Sequence, residues 1–148
     1  MGKVMKIDIL NKEKEKKLLR EVTVKIGLKQ EDDEDGITVE VLLNSGVTGL
    51  VMSLEFARKN KFKKKKLERL IYMRNVNGIF NHKGPIEHMV EVKLFYRGYK
   101  EKTKIDITGE QKWSIVLGMA WLAYYNPEID WKIGEVKMTR CPDECGEQ

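Results

Sequence analysis

Apolar and polar residues alternate along several separate stretches of this chain. From Glu21 onward, Val22, Val24, Ile26 and Leu28 take turns with Thr23, Lys25 and Gly27, the period of a strand with one buried face. The acidic string Glu31-Asp32-Asp33-Glu34-Asp35 ends at Gly36 and predicts a solvent-exposed hairpin connection. Ile37, Val39, Val41 and Leu43 then resume the alternation. Met89–Tyr96 alternates again, Gly98 marks a turn, and Thr103, Ile105 and Ile107 carry the pattern onward. Ser114-Ile115-Val116-Leu117-Gly118 predicts a short buried strand stopped by glycine, and Asp130–Met138 a final hairpin bending at Lys132-Ile133-Gly134-Glu135. Ile71–Phe80 reads as a strand with a turn signal at Asn77-Gly78.

Helical character is confined to two short segments. Ser53 can cap residues 53–60, with Glu55 in the first turn and Leu54, Ala57 and Arg58 on one face. The basic run Lys61–Arg69 ends that helix, with Lys63 to Lys66 reading as a solvated turn. Met119–Tyr124 predicts one or two helical turns. Many short strands, regular turns and few helices predict an all-β domain, a small closed barrel with one or two short helices.

Composition narrows this picture. A chain of 148 residues suits one domain able to bury its own core. Residues 11–20 are charged helix formers with only Leu18 and Leu19 apolar, so residues 1–20 read as a charged linker or N-terminal extension. The domain is expected over 21–140, with 141–148 as a C-terminal tail. No apolar run approaches the ~20 residues needed to cross a bilayer, and Met1–Leu10 has no signal-peptide core. Two cysteines do not make a disulfide framework, which predicts a reducing, cytoplasmic setting. The net charge of +5 permits contact with nucleic acid without requiring it.

The chemistry gathers at one turn. The second predicted strand delivers Asn44-Ser45-Gly46-Val47-Thr48-Gly49, six small or turn-prone residues, to a tight loop. Leu42-Leu43-Asn44-Ser45-Gly46 resembles the apolar-apolar-Asp-Ser/Thr-Gly loop of retroviral-type aspartic proteases. Ile115-Val116-Leu117-Gly118 resembles the strand that crosses behind that loop in the same fold. Leu117–Trp131, which reads LGMAWLAYYNPEIDW, resembles the ending of proteases encoded by gypsy-type long-terminal-repeat retrotransposons, those of fungi above all. The likeness spans roughly residues 21–140.

That resemblance implies a homodimer in which each subunit gives one loop to a single active site. Two aspartates there share a proton, because like charges about 3 Å apart do not both ionise cheaply. One activates a water as general base and the other polarises the scissile carbonyl of a polypeptide. It assigns Ser45 to bracing the paired loops and Gly46 to the backbone turn. Val47 and Thr48 are expected to touch substrate, as are Asn77, Gly78 and Ile79 in a flap over about Arg74 to Gly84. No cofactor is implied. The natural relatives cut their own Gag-Pol polyprotein, in a cytoplasmic or virus-like-particle setting.

Position 44 departs from the family. An amide keeps the size and hydrogen-bonding capacity of a carboxyl group, yet accepts no proton from water near neutral pH. General acid–base groups contribute ~10²–10⁴-fold each, so a pair of asparagines predicts a protease fold without working catalysis. Val47 stands where the family usually has alanine, and Ala120 where it usually has proline. An inactive copy of this kind arises either by drift in an old element or by deliberate replacement, and the scattered changes favour drift.

Other residues have plainer readings. Cys141 and Cys145 lack the remaining ligands of a closed zinc site, since His82 and His88 lie in or beside the flap, so no metal is expected. Trp113, Trp121 and Trp131 suit packing, and Asp106 and Asp130 lack the Ser/Thr-Gly context of a catalytic aspartate. Asp130 fits a structural role in the C-terminal motif. Two alternatives to an inactive protease domain stay open. One is a peptide-binding or dimerisation module without chemistry. The other is a basic nucleic-acid-associated domain using Lys63 to Lys66, which lacks any base-reading apparatus.

Overall fold

The computed structural model describes residues 21–72, 80–81 and 85–140. Eleven strands and two helices fall in these residues: β1 (Val22–Lys29), β2 (Ile37–Leu43), β3 (Leu50–Ser53), α1 (Leu54–Lys59), β4 (Lys65–Ile71), β5 (Phe80–Asn81), β6 (Ile86–Tyr96), β7 (Tyr99–Thr108), β8 (Glu110–Gln111), β9 (Ile115–Leu117), α2 (Met119–Tyr125), β10 (Glu128–Asp130) and β11 (Glu135–Lys137). The main sheet runs β1-β2-β9-β3-β7-β6, and β6 pairs back onto β1 through Gly27↔Phe95, Leu28↔Leu94 and Lys29↔Lys93. Six strands therefore close a barrel, as the alternation predicts. β4 adds to the outside of β6, and β10–β11 and β5–β8 form two small ladders.

Period-2 patterning sets which side chains fill the barrel. Val22, Val24, Ile26 and Leu28 of β1 are all buried, as are Val90, Val92 and Leu94 of β6 and Ile105 and Ile107 of β7. Each such side chain removed from water is worth roughly 1.5–3 kcal/mol. α2 closes one end with aromatics: the ring of Trp121 packs 4.9 Å from Tyr125 and 5.9 Å from Tyr96, and Tyr125 lies 6.1 Å from Tyr99. α2 ends on Asn126 in the left-handed region (φ 45°), a conformation asparagine tolerates better than most residues. Arg140 donates from its guanidinium to the carbonyls of Asn126 (3.0 Å) and Pro127 (2.8 Å), tying the final hairpin to that turn. Asp130 has the structural role expected of it, its Oδ1 accepting from the backbone N–H of Lys132 and Ile133.

Three local expectations change. Leu50–Ser53 is a strand, buried along its whole length, where the sequence showed only a passage from loop to helix. The basic run is no turn after a helix: α1 stops at Lys59 under the Asn60 cap, and Lys65 and Lys66 open the edge strand β4. On α1, Ala57 is buried and Leu54 packs on the core, but Arg58 is exposed and does not share their burial. Trp113 is half-buried and Trp121 lies in the core, whereas Trp131 is 39% exposed at the last turn.

Candidate active site

The Asn44–Gly49 loop rests on a base made by one strand. β9 lies between β2 and β3, the two legs of the loop. It pairs parallel with β2 (Leu42↔Val116, Leu43↔Leu117) and antiparallel with β3 (Leu50↔Leu117, Val51↔Val116, Met52↔Ile115). The Asn44 N–H then donates to the Leu117 carbonyl at 3.0 Å, carrying the ladder into the loop. Beneath it, Leu42, Val47, Val51 and Val116 form a small apolar cluster against Trp113, separate from the barrel interior.

α2 holds the loop from its far side. Its N-cap is Gly118, which has no side chain to satisfy the first N–H groups of the helix. Loop carbonyls do so instead: Gly118 N–H donates to Gly49 O (2.9 Å), Met119 N–H to Val47 O (2.6 Å) and Ala120 N–H to Thr48 O (2.8 Å). Only glycine fits at 118, because a Cβ there would come within 2.2 Å of the Val47 oxygen and 2.3 Å of the Gly49 oxygen. Proline at 120 would have no N–H to give Thr48, so alanine supplies a tie that the usual family residue lacks.

Asn44 is half-buried, and Ser45 and Gly46 are exposed at the tip. Its Oδ1 accepts from the Gly46 N–H at 2.8 Å, and its carbonyl accepts from Val47 N–H at 3.2 Å. A carboxylate oxygen would accept the same Gly46 hydrogen. The amide therefore meets the structural demand on one terminal atom, and what differs is the other atom, an NH₂ donor where a carboxyl group has a second oxygen. Among the described residues the Ser45 hydroxyl has no hydrogen-bond partner.

Beside the loop lies a recess of about 240 Å³, bordered by Val47, Thr48, Gly49, Ile71, Ile86 and Asp106. Val47 thus serves both the cluster under the loop and the wall of the recess, and Thr48 is exposed at its edge. Burial pushes the Asp106 carboxyl above the usual carboxylate range. In the sequence Asp106 lacks the Ser/Thr-Gly context of a catalytic aspartate. The signal available was its place between Ile105 and Ile107, an acidic residue at the buried end of a strand whose other charges lie toward its exposed start.

Asn77, Gly78 and Ile79 lie outside the described residues, as do His82, Cys141 and Cys145. On either side of that interval, β4 and β6 meet through Ile71↔Ile86, and the β5 backbone pairs with β8. Among the described residues no group of three His, Cys, Asp or Glu side chains is placed to hold a metal. His88 stands on β6 opposite Lys66. Lys63 is paired with Asp32 (3.0 Å) and Lys65 with Glu91 (2.7 Å), so two ammonium groups of the basic run are already partnered. Among the described residues no helix is long and apolar enough to cross a membrane.

A closed barrel in which an Asx-Ser-Gly loop sits over a crossing strand defines a retropepsin-like domain. A model of the PEG10/RTL1 protease domain matches residues 40–145, and the chain belongs to that family. Among solved structures, the retroviral protease-like domain of Ddi1 from Leishmania major aligns at a TM-score of 0.46 and 12% identity, covering 80% of this chain and 89% of that one. EIAV protease complexed with the inhibitor HBY-793 aligns at 0.44 and 18% identity, covering 70% and 86%.

Proposed function

We propose that this chain is the protease domain of a gypsy-type retrotransposon Gag-Pol polyprotein, of fungal type, that keeps the substrate cleft and has lost hydrolysis. In this reading residues 21–140 are the domain, 1–20 an extension and 141–148 a tail. Two copies pair so that their Asn44-Ser45-Gly46 loops face one another, with the exposed Ser45 hydroxyl, unpartnered among the described residues, available to the neighbouring loop. An extended polypeptide lies along Val47 and Thr48 beneath a flap carrying Asn77, Gly78 and Ile79, in a cytoplasmic setting.

The observation that carries the reading is the bond from Gly46 N–H to Asn44 Oδ1. The loop is held as an aspartate would hold it, and only the proton-accepting oxygen is gone. With both copies bearing an amide, no side chain of the pair takes a proton from water, so peptide hydrolysis falls to background. What persists is a dimeric peptide-binding module.

Asn44→Asp tests this directly. The variant is expected to become a pepstatin-sensitive peptidase with an acidic optimum, at least ~10²-fold above the unchanged chain. No cleavage by a folded, dimeric Asn44→Asp protein would overturn the assignment.

A further inference from the structure

Among the described residues, the recess beside the loop contains one charge. β7 runs parallel to β3 with Val51↔Asp106 and Met52↔Ile107 in register. Ile105 and Ile107 point into the barrel, so Asp106 turns to the opposite face, toward Val51 and the loop. A Cβ on Gly49 would stand 4.0 Å from Asp106 Oδ2, so a residue without a side chain keeps the space in front of the carboxylate open. Among the described residues the remaining walls are the apolar side chains of Val47, Ile71 and Ile86, with Thr48 at the edge. Tyr72 is the other titratable group on the wall among the described residues, and it is 76% exposed. Among the described residues Asp106 makes no side-chain hydrogen bond or ion pair.

A half-buried carboxylate with no partner is costly for a fold to keep, and an isoleucine or valine would suit this strand better. Among the described residues, Val51 of β3, Gly49 of the loop and Met89 of β6 stand nearest it with no donor side chain, and the Thr48 and Tyr72 hydroxyls on the wall make no bond to it. The same low polarity that makes the lone charge costly strengthens its attraction for an incoming cation. We propose that Asp106 is a specificity residue and that the recess takes a lysine or arginine side chain of an extended peptide. Its aliphatic stem lies against Val47, Ile71 and Ile86, and its cationic head pairs with the Asp106 carboxylate. This rests on the cleft reading above and adds the substrate class to it.

A random octapeptide display library, selected at neutral pH on the full chain and on Asp106→Asn in parallel, tests it. The full chain is expected to enrich lysine or arginine at one position about tenfold over norleucine-like methionine and leucine. Asp106→Asn, which removes an unpaired charge and so keeps the fold, is expected to retain peptides while losing that enrichment. Enrichment of apolar residues alone by both proteins, or an equal basic preference in both, would overturn the role of Asp106 and leave the cleft standing. Failure of the full chain to retain any peptide, as a folded dimer, would overturn the cleft and this inference together.

Discussion

The loop's base and the barrel's outer rim are built on opposite principles. At the base, β9 is hydrogen-bonded on both edges, and the loop carbonyls of Val47, Thr48 and Gly49 each accept from the α2 terminus. At the rim, β4 pairs on β6 through Lys65↔Met89 and Lys66↔His88, then breaks and resumes in a shifted register at Ile71↔Ile86. Leu70 is 50% exposed and Tyr72 76%. The Asn44–Gly49 loop is over-determined by backbone bonds, whereas one wall of the recess beside it is an edge strand with a shifted register. Such a construction holds the loop in one place and leaves more freedom at the edge beside it.

Substitutions can break that contrast, starting with the largest effect. Gly118→Ala drives a methyl into two loop carbonyls and is expected to cost about 3 kcal/mol or to prevent folding, as read by urea denaturation. A loss under about 1 kcal/mol would show that the base yields as readily as the rim. Ser53 ends β3 and caps α1, its Oγ accepting from Phe56 N–H at 3.1 Å. Ser53→Ala is expected to lower stability by about 1 kcal/mol in the same measurement.

Asp106→Asn sharpens the comparison through pH. Burial raises the native carboxyl pKa, so the folded chain holds its proton to higher pH than the unfolded chain does. Stability is therefore lost as pH rises from the ordinary carboxylate value through the raised one. The variant should melt higher than the parent at neutral pH and equally in acid, below both values. The smallest effect is expected at the rim, where Leu70→Ser should change stability by less than about 0.5 kcal/mol. A larger loss would mean that β4 is part of the cooperative fold to the same degree as β9.

The legibility of the chain follows the physics of each element. β1, β2, β6 and β7 each bury one face of a curved sheet, so their alternation shows in the sequence. β3 is buried on both faces, and Leu50-Val51-Met52-Ser53 has no alternation to read. β4 fails for the reverse reason. Its lysines and arginine suit an exposed edge, where charge discourages further pairing, and on paper that composition looks like a turn. The loop residues were legible as a motif, but what holds them was not. Gly118 read as the end of a strand, and only the approach of Val47 and Gly49 shows why no other residue fits there. Asp106 was visible as a residue and invisible as a site, because its neighbours come from β3, β4 and β6.

The position of β9 also sets the order of assembly. β2 and β3 leave the ribosome long before the strand that must lie between them. Until residues 115–120 emerge, the legs of the loop have no ladder to join and its carbonyls have no helix to meet. Pairings so distant in sequence are slow to form. A nascent chain or a fragment lacking its last third thus carries the whole Asn44–Gly49 loop and no cleft. In an active relative built this way, proteolysis would be withheld during synthesis without any inhibitor.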